Sequence, residues 1–224
     1  MRYQAVLFDF DYTLGDSTVP ITIGYQRGLT AMGWPEPAVE QVRPTIGMTL
    51  HDGYTLLTGD GAEARRREFY RRFQEAVGER AMARGDDTMI RETRFFPGAL
   101  ELLGALKQAG VPAGIVSTKL GATIRKIFDH HQAGDLLALV VGGEDVDRPK
   151  PDPQGLLGAA EGLGLTPDRV LFCGDTVIDA RTAQAAGADF CAVLNGTTPA
   201  QAFEPFPCVQ IVPDLTALKS WLAL

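Results

Sequence analysis

The 224 residues predict an α/β protein: a parallel sheet with helices on both faces, interrupted after its first strand by a helical insertion. Three observations carry that prediction. From about residue 93 to the end, apolar runs alternate with helix-period segments, joined by short stretches marked with Gly or Pro. Residues 5–8, Ala-Val-Leu-Phe, are an apolar run of the same kind, continuous rather than alternating, as in a strand covered on both sides. Residues 16–92 lack the alternation and show helical periodicity alone. The expected division is a core of residues 1–15 and 93–224, with residues 16–92 inserted as a helical domain.

Taken in order, the core begins with the strand at residues 3–9. In the insertion, Ile21, Tyr25, Leu29 and Met32 recur at helical spacing, as do Phe69, Phe73, Ala76 and Val77. Back in the core, Ala99, Leu102, Leu103 and Leu106 mark a helix that stops at Gly110. Residues 111–116 are a short apolar run, and Ile124, Ile127 and Phe128 mark the next helix. A strand is expected at residues 136–141, then a helix through Leu156, Leu157 and Ala160 that stops near Gly162. The strand 170–175 precedes a helix over 180–186 ended by Gly187. Strands at 190–194 and 209–212 and a last helix at 215–222 complete the series.

Composition narrows the class. Hydrophobic residues make up 45% of the chain, and no apolar run approaches the roughly 18–20 residues needed to span a bilayer. No secretory signal is legible at the N-terminus. The three cysteines, Cys173, Cys191 and Cys208, have no zinc-like spacing and read as core thiols in a reducing cytoplasm. A net charge of −7 argues against wholesale nucleic-acid binding. The run of residues 63–72 is arginine-rich, but nine arginines face eight acids between residues 60 and 94. Glu63–Arg67 and Glu68–Arg72 are i,i+4 pairs, so this is a solvated helix face.

The chemistry concentrates at the strand ends, where open parallel sheets bind ligands. Asp9 and Asp11 close the first strand, and unpaired buried carboxylates are costly. Ser117, Thr118 and Lys119 end the second. Lys150 sits between two prolines after the third. Asp175 ends the next strand, and Asp179 follows four residues on. Carboxylates so gathered repel one another unless a hard cation lies among them, and an oxygen-lined site suits Mg²⁺. A magnesium ion with open positions, beside a lysine and a hydroxyl, makes a phosphate cradle.

Those residues resemble the four motifs of the haloacid dehalogenase-like superfamily, in its phosphoglycolate-phosphatase-like branch. The first motif, Asp-x-Asp-x-Thr and an apolar residue, is matched by Asp9, Asp11, Thr13 and Leu14. Ser117 matches the second, Lys150 the third, and Gly174, Asp175 and Asp179 the fourth, all in order. The resemblance implies a Rossmann-like core with a helical cap. It implies Asp9 as nucleophile and Asp11 as the acid and later the base. Ser117 and Lys150 would hold phosphoryl oxygens, with Thr13, Thr118 and Lys119 close to substrate. Asp9, Asp175 and the Asp11 backbone carbonyl would bind Mg²⁺. Asp179 admits three readings: metal ligand, outer partner of a bound water or of Lys150, or an acid at a helix N-terminus. The metal shell is preferred.

Thr118 and Lys119 read equally well as helix-capping and solvent-exposed residues. Residues 43–50 resemble the family's substrate-specificity segment, with Arg43 and Thr45 as contacts and Gly47 allowing close backbone approach. An exposed helix end is an equal alternative there. Tyr12 departs from the glycine often found after the second aspartate. His51, His130 and His131 read as surface, packing or helix-end residues. The implied activity is hydrolysis of a small phosphorylated metabolite, with 2-phosphoglycolate the first candidate. Its rivals are a β-phosphoglucomutase-like transfer, pyrophosphatase or nucleotidase activity, and a non-catalytic phospholigand module. A soluble cytoplasmic monomer or homodimer, away from membranes, completes the expectation.

Overall fold

The computed structural model describes residues 2–224. The chain forms two compact units, Met1–Gly15 with Phe95–Leu224, and Asp16–Arg94. Among the described residues eight strands follow in chain order: β1 (Ala5–Phe8), β2 (Gly15–Asp16), β3 (Arg94–Phe95), β4 (Ala113–Val116), β5 (Leu139–Val141), β6 (Val170–Gly174), β7 (Asp189–Val193) and β8 (Cys208–Val212). Six of them form one sheet in the order β5-β4-β1-β6-β7-β8. Its pairs are parallel, with Phe8 in register with Ile115 on β4 and with Cys173 on β6. From β1 the chain builds outward through β4 and β5, then crosses to β6 on the other side of β1. The strand order therefore reverses at β1, which places a crevice at its carboxyl end.

Both faces of the central strands are covered, which is why their sequences are apolar without alternation. Every residue of β1, β4 and β6 is buried. Leu7, Val116, Leu156, Ala160, Phe172 and Phe190 belong to one continuous core cluster. Cys173 and Cys191 are buried, Cys208 is partly so, and none forms a disulfide. The helix Val177–Ala186 ends as expected at Gly187, whose φ of 75° suits a residue without a Cβ.

The expected strand at 136–141 is shorter. Residues Gly134–Leu136 form a 3-10 turn, and β5 begins only at Leu139. The amide of Leu136 donates to the Ala133 carbonyl, closing a local turn where the apolar run had suggested extension. Strands β2 and β3 pair in a separate two-stranded sheet. Two residues each are too few to show any periodicity.

The second unit is helical. Its helices Thr18–Ala31 and Glu63–Ala76 pack through Tyr25, Phe69 and Phe73, with the Tyr25 and Phe69 rings 5.0 Å apart. Tyr54, from the helix Leu50–Thr58, stacks on Phe69 at 5.3 Å. The approach depends on small residues: a Cβ on Gly24 would run into the Phe73 ring, and one on Gly28 would lie 3.0 Å from Phe69. The arginine-rich face pairs internally, with Arg67 on Glu63 at 2.7 Å and Arg71 on Glu75 at 2.8 Å. Arg72 and Glu68 stand 3.8 Å apart. Among the described residues no helix is long and apolar enough to cross a membrane.

Candidate active site

Asp9 follows β1 directly, and its amide donates to the Cys173 carbonyl on β6 at 2.9 Å. The ladder thus continues one residue past the strand and pins the aspartate between β4 and β6. The next residues turn sharply: the amides of Leu14 and Gly15 both donate to the Phe10 carbonyl at 2.9 Å. Tyr12 stands at the apex with φ of 60° and is buried, its ring 6.5 Å from that of Phe96. This backbone conformation favours glycine, so Tyr12 carries steric strain of about 1–2 kcal/mol that its packing offsets.

Lys150, after β5, reaches Asp179 Oδ1 at 2.6 Å and Asp9 Oδ1 at 2.9 Å. Its side chain is 4% exposed. The contact to Asp9 is a buried ion pair, and Lys150 is the one cation paired with Asp9 Oδ1 among the described residues. Asp179 also serves the helix Val177–Ala186. Its Oδ2 accepts from the Thr176 amide at 3.0 Å, while its own amide donates to Thr176 Oγ1 at 3.2 Å, a reciprocal cap. Two of the three expected readings of Asp179, helix acid and Lys150 partner, are therefore realised together. Gly174 is small because a Cβ there would stand 2.5 Å from the Asp179 side chain.

Asp175 ends β6. Thr13 Oγ1, the hydroxyl expected near substrate, donates to Asp175 Oδ1 at 3.1 Å and orients that carboxylate. Asn195 Nδ2 donates to the Thr13 carbonyl at 3.0 Å and steadies that threonine. A Cβ on Gly196 would collide with Asp175 Oδ2. Asn195 and Gly196 were missed in the sequence. Extending the survey of strand ends to the one after residues 189–193 would have found them.

Asp9, Asp175 and Asp179 each present an oxygen within 4.8 Å of the others. Burial pushes the Asp9 carboxyl up to about 6, against the opposing charge of Lys150. Burial, then the charges of Asp179 and Asp9, pushes Asp175 well above the usual carboxylate range. Burial alone would lower the Lys150 ammonium, but Asp179 and Asp9 raise it, so it stays charged. An all-oxygen donor set and mutual repulsion among three buried carboxylates fit a hard divalent cation. The Asp11 carboxylate does not join this cluster. It meets Lys119, whose Nζ lies 3.0 and 3.2 Å from its two oxygens.

Ser117 follows β4 directly, its amide donating to the Val141 carbonyl at 3.0 Å and its Oγ accepting from the Lys119 amide at 3.3 Å. Thr118 is half-buried beside it. Arg43, Thr45 and Gly47 lie in the helical unit, Arg43–Thr45 as one 3-10 turn. Thr45 Oγ1 donates to the Val42 carbonyl at 2.8 Å, which commits its hydroxyl locally. Arg43 is exposed, and Gly47 has φ of 92°.

Three buried carboxylates and a lysine thus gather where the parallel sheet reverses its strand order. Residues 6–193 match the haloacid dehalogenase-like hydrolase family, and the chain belongs to it, in the branch that resembles phosphoglycolate phosphatases. It is 30% identical over 213 residues to the phosphoglycolate phosphatase of Nitrosospira multiformis, covering 95% of this chain and 92% of that protein. It is 31% identical over 201 residues to the N-acetylmuramic acid 6-phosphate phosphatase of Pseudomonas aeruginosa, covering 88% and 84%. A solved haloacid dehalogenase-like hydrolase structure from Bacteroides fragilis superposes with a TM-score of 0.89 at 36% identity, covering 96% of this chain and 99% of that one. The protein is thus an enzyme of the phosphatase kind.

Proposed function

We propose that the protein is a Mg²⁺-dependent phosphatase of a small phosphorylated metabolite, with 2-phosphoglycolate the first candidate. The observation that carries the proposal is the ion pairing of Lys150 with both Asp9 and Asp179, in a cluster where Asp9, Asp175 and Asp179 each present an oxygen within 4.8 Å of the others. Asp9 attacks phosphorus and forms an aspartyl-phosphate as the bond to the leaving oxygen breaks with its electron pair. Asp11 delivers a proton to that oxygen. It then takes a proton from the water that attacks the same phosphorus and frees Asp9. Lys150 and Ser117 hold phosphoryl oxygens, and Lys150 holds Asp9 in place. Asp9, Asp175, Asp179 and the Asp11 backbone carbonyl would hold the divalent cation, which supplies charge neutralisation to the phosphoryl group.

Residues 16–92 would act as a cap that excludes water and reads the leaving group, with Arg43 and Gly47 as its candidates and Thr45 as their support. The two relatives' names describe phosphate esters of carboxylic acids, one small and one a sugar acid. That supports an acid as the leaving group and leaves its size to the cap.

The test is phosphate release from 2-phosphoglycolate, sugar phosphates, sugar-acid phosphates, nucleotides and pyrophosphate, with and without Mg²⁺. Native protein should release phosphate only with the metal, and Asp9→Asn should release none. Release that survives Asp9→Asn would overturn the nucleophile assignment.

A further inference from the structure

Two buried ammonium groups serve this site, and they are engaged differently. Lys150 is shared between Asp9 and Asp179. Lys119, its side chain 8% exposed, grips both oxygens of Asp11 and lies 5.8 Å from the Phe10 ring centre. Its backbone is fixed on both sides. The Lys119 amide donates to Ser117 Oγ, and its carbonyl accepts from the Gly143 amide at 3.0 Å. Gly143 is held to a glycine because a Cβ would stand 2.5 Å from the Thr118 carbonyl. The loop after β4 thus aims this lysine at Asp11.

In the reaction proposed above, Asp11 protonates the leaving oxygen, so the leaving group lies against Asp11 and within reach of Lys119. Asp11 is itself an acid at that position, in a chain of net charge −7. A second anion brought in on the leaving group needs its own cation there. Lys150 is committed elsewhere. Lys119 is a compact charge with three donors on a flexible stem, able to lean from Asp11 to an incoming carboxylate.

We propose that Lys119 is a specificity-determining residue that reads a carboxylate on the leaving group, making the site selective for phosphate esters of carboxylic acids over those of neutral alcohols. This rests on the phosphatase reading and adds the residue that selects its leaving group. A neutral leaving group offers Lys119 no charge in exchange for Asp11, so it gains nothing from the lysine.

The experiment compares kcat/KM for 2-phosphoglycolate and for 2-hydroxyethyl phosphate, which carries a hydroxymethyl group in place of the carboxylate. The proteins are the full chain, Lys119→Met, Lys119→Gln and Lys119→Arg, with circular dichroism to confirm folding. Damage to Asp11 is common to both esters and cancels in the ratio. The native protein should prefer the acid. Both uncharged variants should lower that preference about 10- to 100-fold, the worth of a hydrogen bond between charged groups. Most of the loss should appear as a higher KM for the acid, and Lys119→Arg should restore part of it. If Lys119→Met does not fold, the Lys119→Gln ratio decides. A native protein indifferent to the carboxylate, or variants in which both esters decline together, would overturn the proposal while leaving a phosphatase. A native protein that hydrolyses no ester with Mg²⁺ present would overturn the phosphatase reading itself.

Discussion

Replacing Lys150 with methionine tests the electrostatic design of the site in one step. The substitution keeps an unbranched side chain of similar length and removes a charge that lies 2.6 Å from Asp179 and 2.9 Å from Asp9. Both carboxylates are almost wholly buried, at 0% and 1% exposure. Removing one partner of a buried ion pair costs about 3–5 kcal/mol, because the charge left behind is neither solvated nor compensated. For a chain of this size each kcal/mol moves the melting temperature by about 2–4 °C, so the variant should melt roughly 6–20 °C lower at neutral pH. The deficit should depend on pH. Burial already places Asp9 at about 6, and loss of Lys150 raises it further. A carboxyl whose folded value lies above its unfolded one stabilises the protein at low pH and loses that contribution as pH rises through the folded value. The variant's deficit should therefore be small near pH 4 and grow as pH rises through 6 and above. Differential scanning calorimetry in chelator, from pH 4 to 8, reads this directly. Adding Asp179→Asn to the variant should recover part of the loss. A deficit below about 1 kcal/mol, or one that is equal at all pH values, would refute the buried-charge argument.

Other consequences can be read alongside. Mg²⁺ at a hundred times its dissociation constant should stabilise the native protein by about 2.7 kcal/mol, and thermal shift should show that gain lost in Asp175→Asn. Gly196→Ala should depress phosphate release more than stability, since the added methyl meets Asp175 Oδ2; kinetics and melting measured together separate the two. Gly24→Ala should destabilise the helical unit by about 1–3 kcal/mol through overpacking against Phe73, partly offset by the roughly 1 kcal/mol helix preference of alanine. Chemical denaturation gives the net value, and a stabilised variant would contradict the packing described.

Much of the site was legible because its parts lie at strand ends, and strand ends can be marked along a sequence by where apolar runs stop. Asp9, Ser117, Lys150 and Asp175 were found that way, and the convergence of the first, third and fourth follows from parallel strands sharing one carboxyl edge. The 3-10 turn at Gly134–Leu136 was not legible, because an apolar run of that length reads equally well as extended chain. Thr13 was assigned to substrate from its place in the first motif. Only its distance to Asp175 showed where the hydroxyl goes.

What the sequence determined alone is the class of the fold, the family, and the roster of carboxylates and lysines, because periodicity and motif order are local properties of the chain. What tertiary structure decided is the pairing among them. Lys119 and Asp11 are 108 residues apart, Lys150 and Asp179 29 apart, and Thr13 and Asn195 182 apart. Which ammonium meets which carboxylate depends on the order of strands in the sheet and on the loops that aim the side chains. That order is set by how the whole core buries its apolar surface, and no short window of sequence contains it.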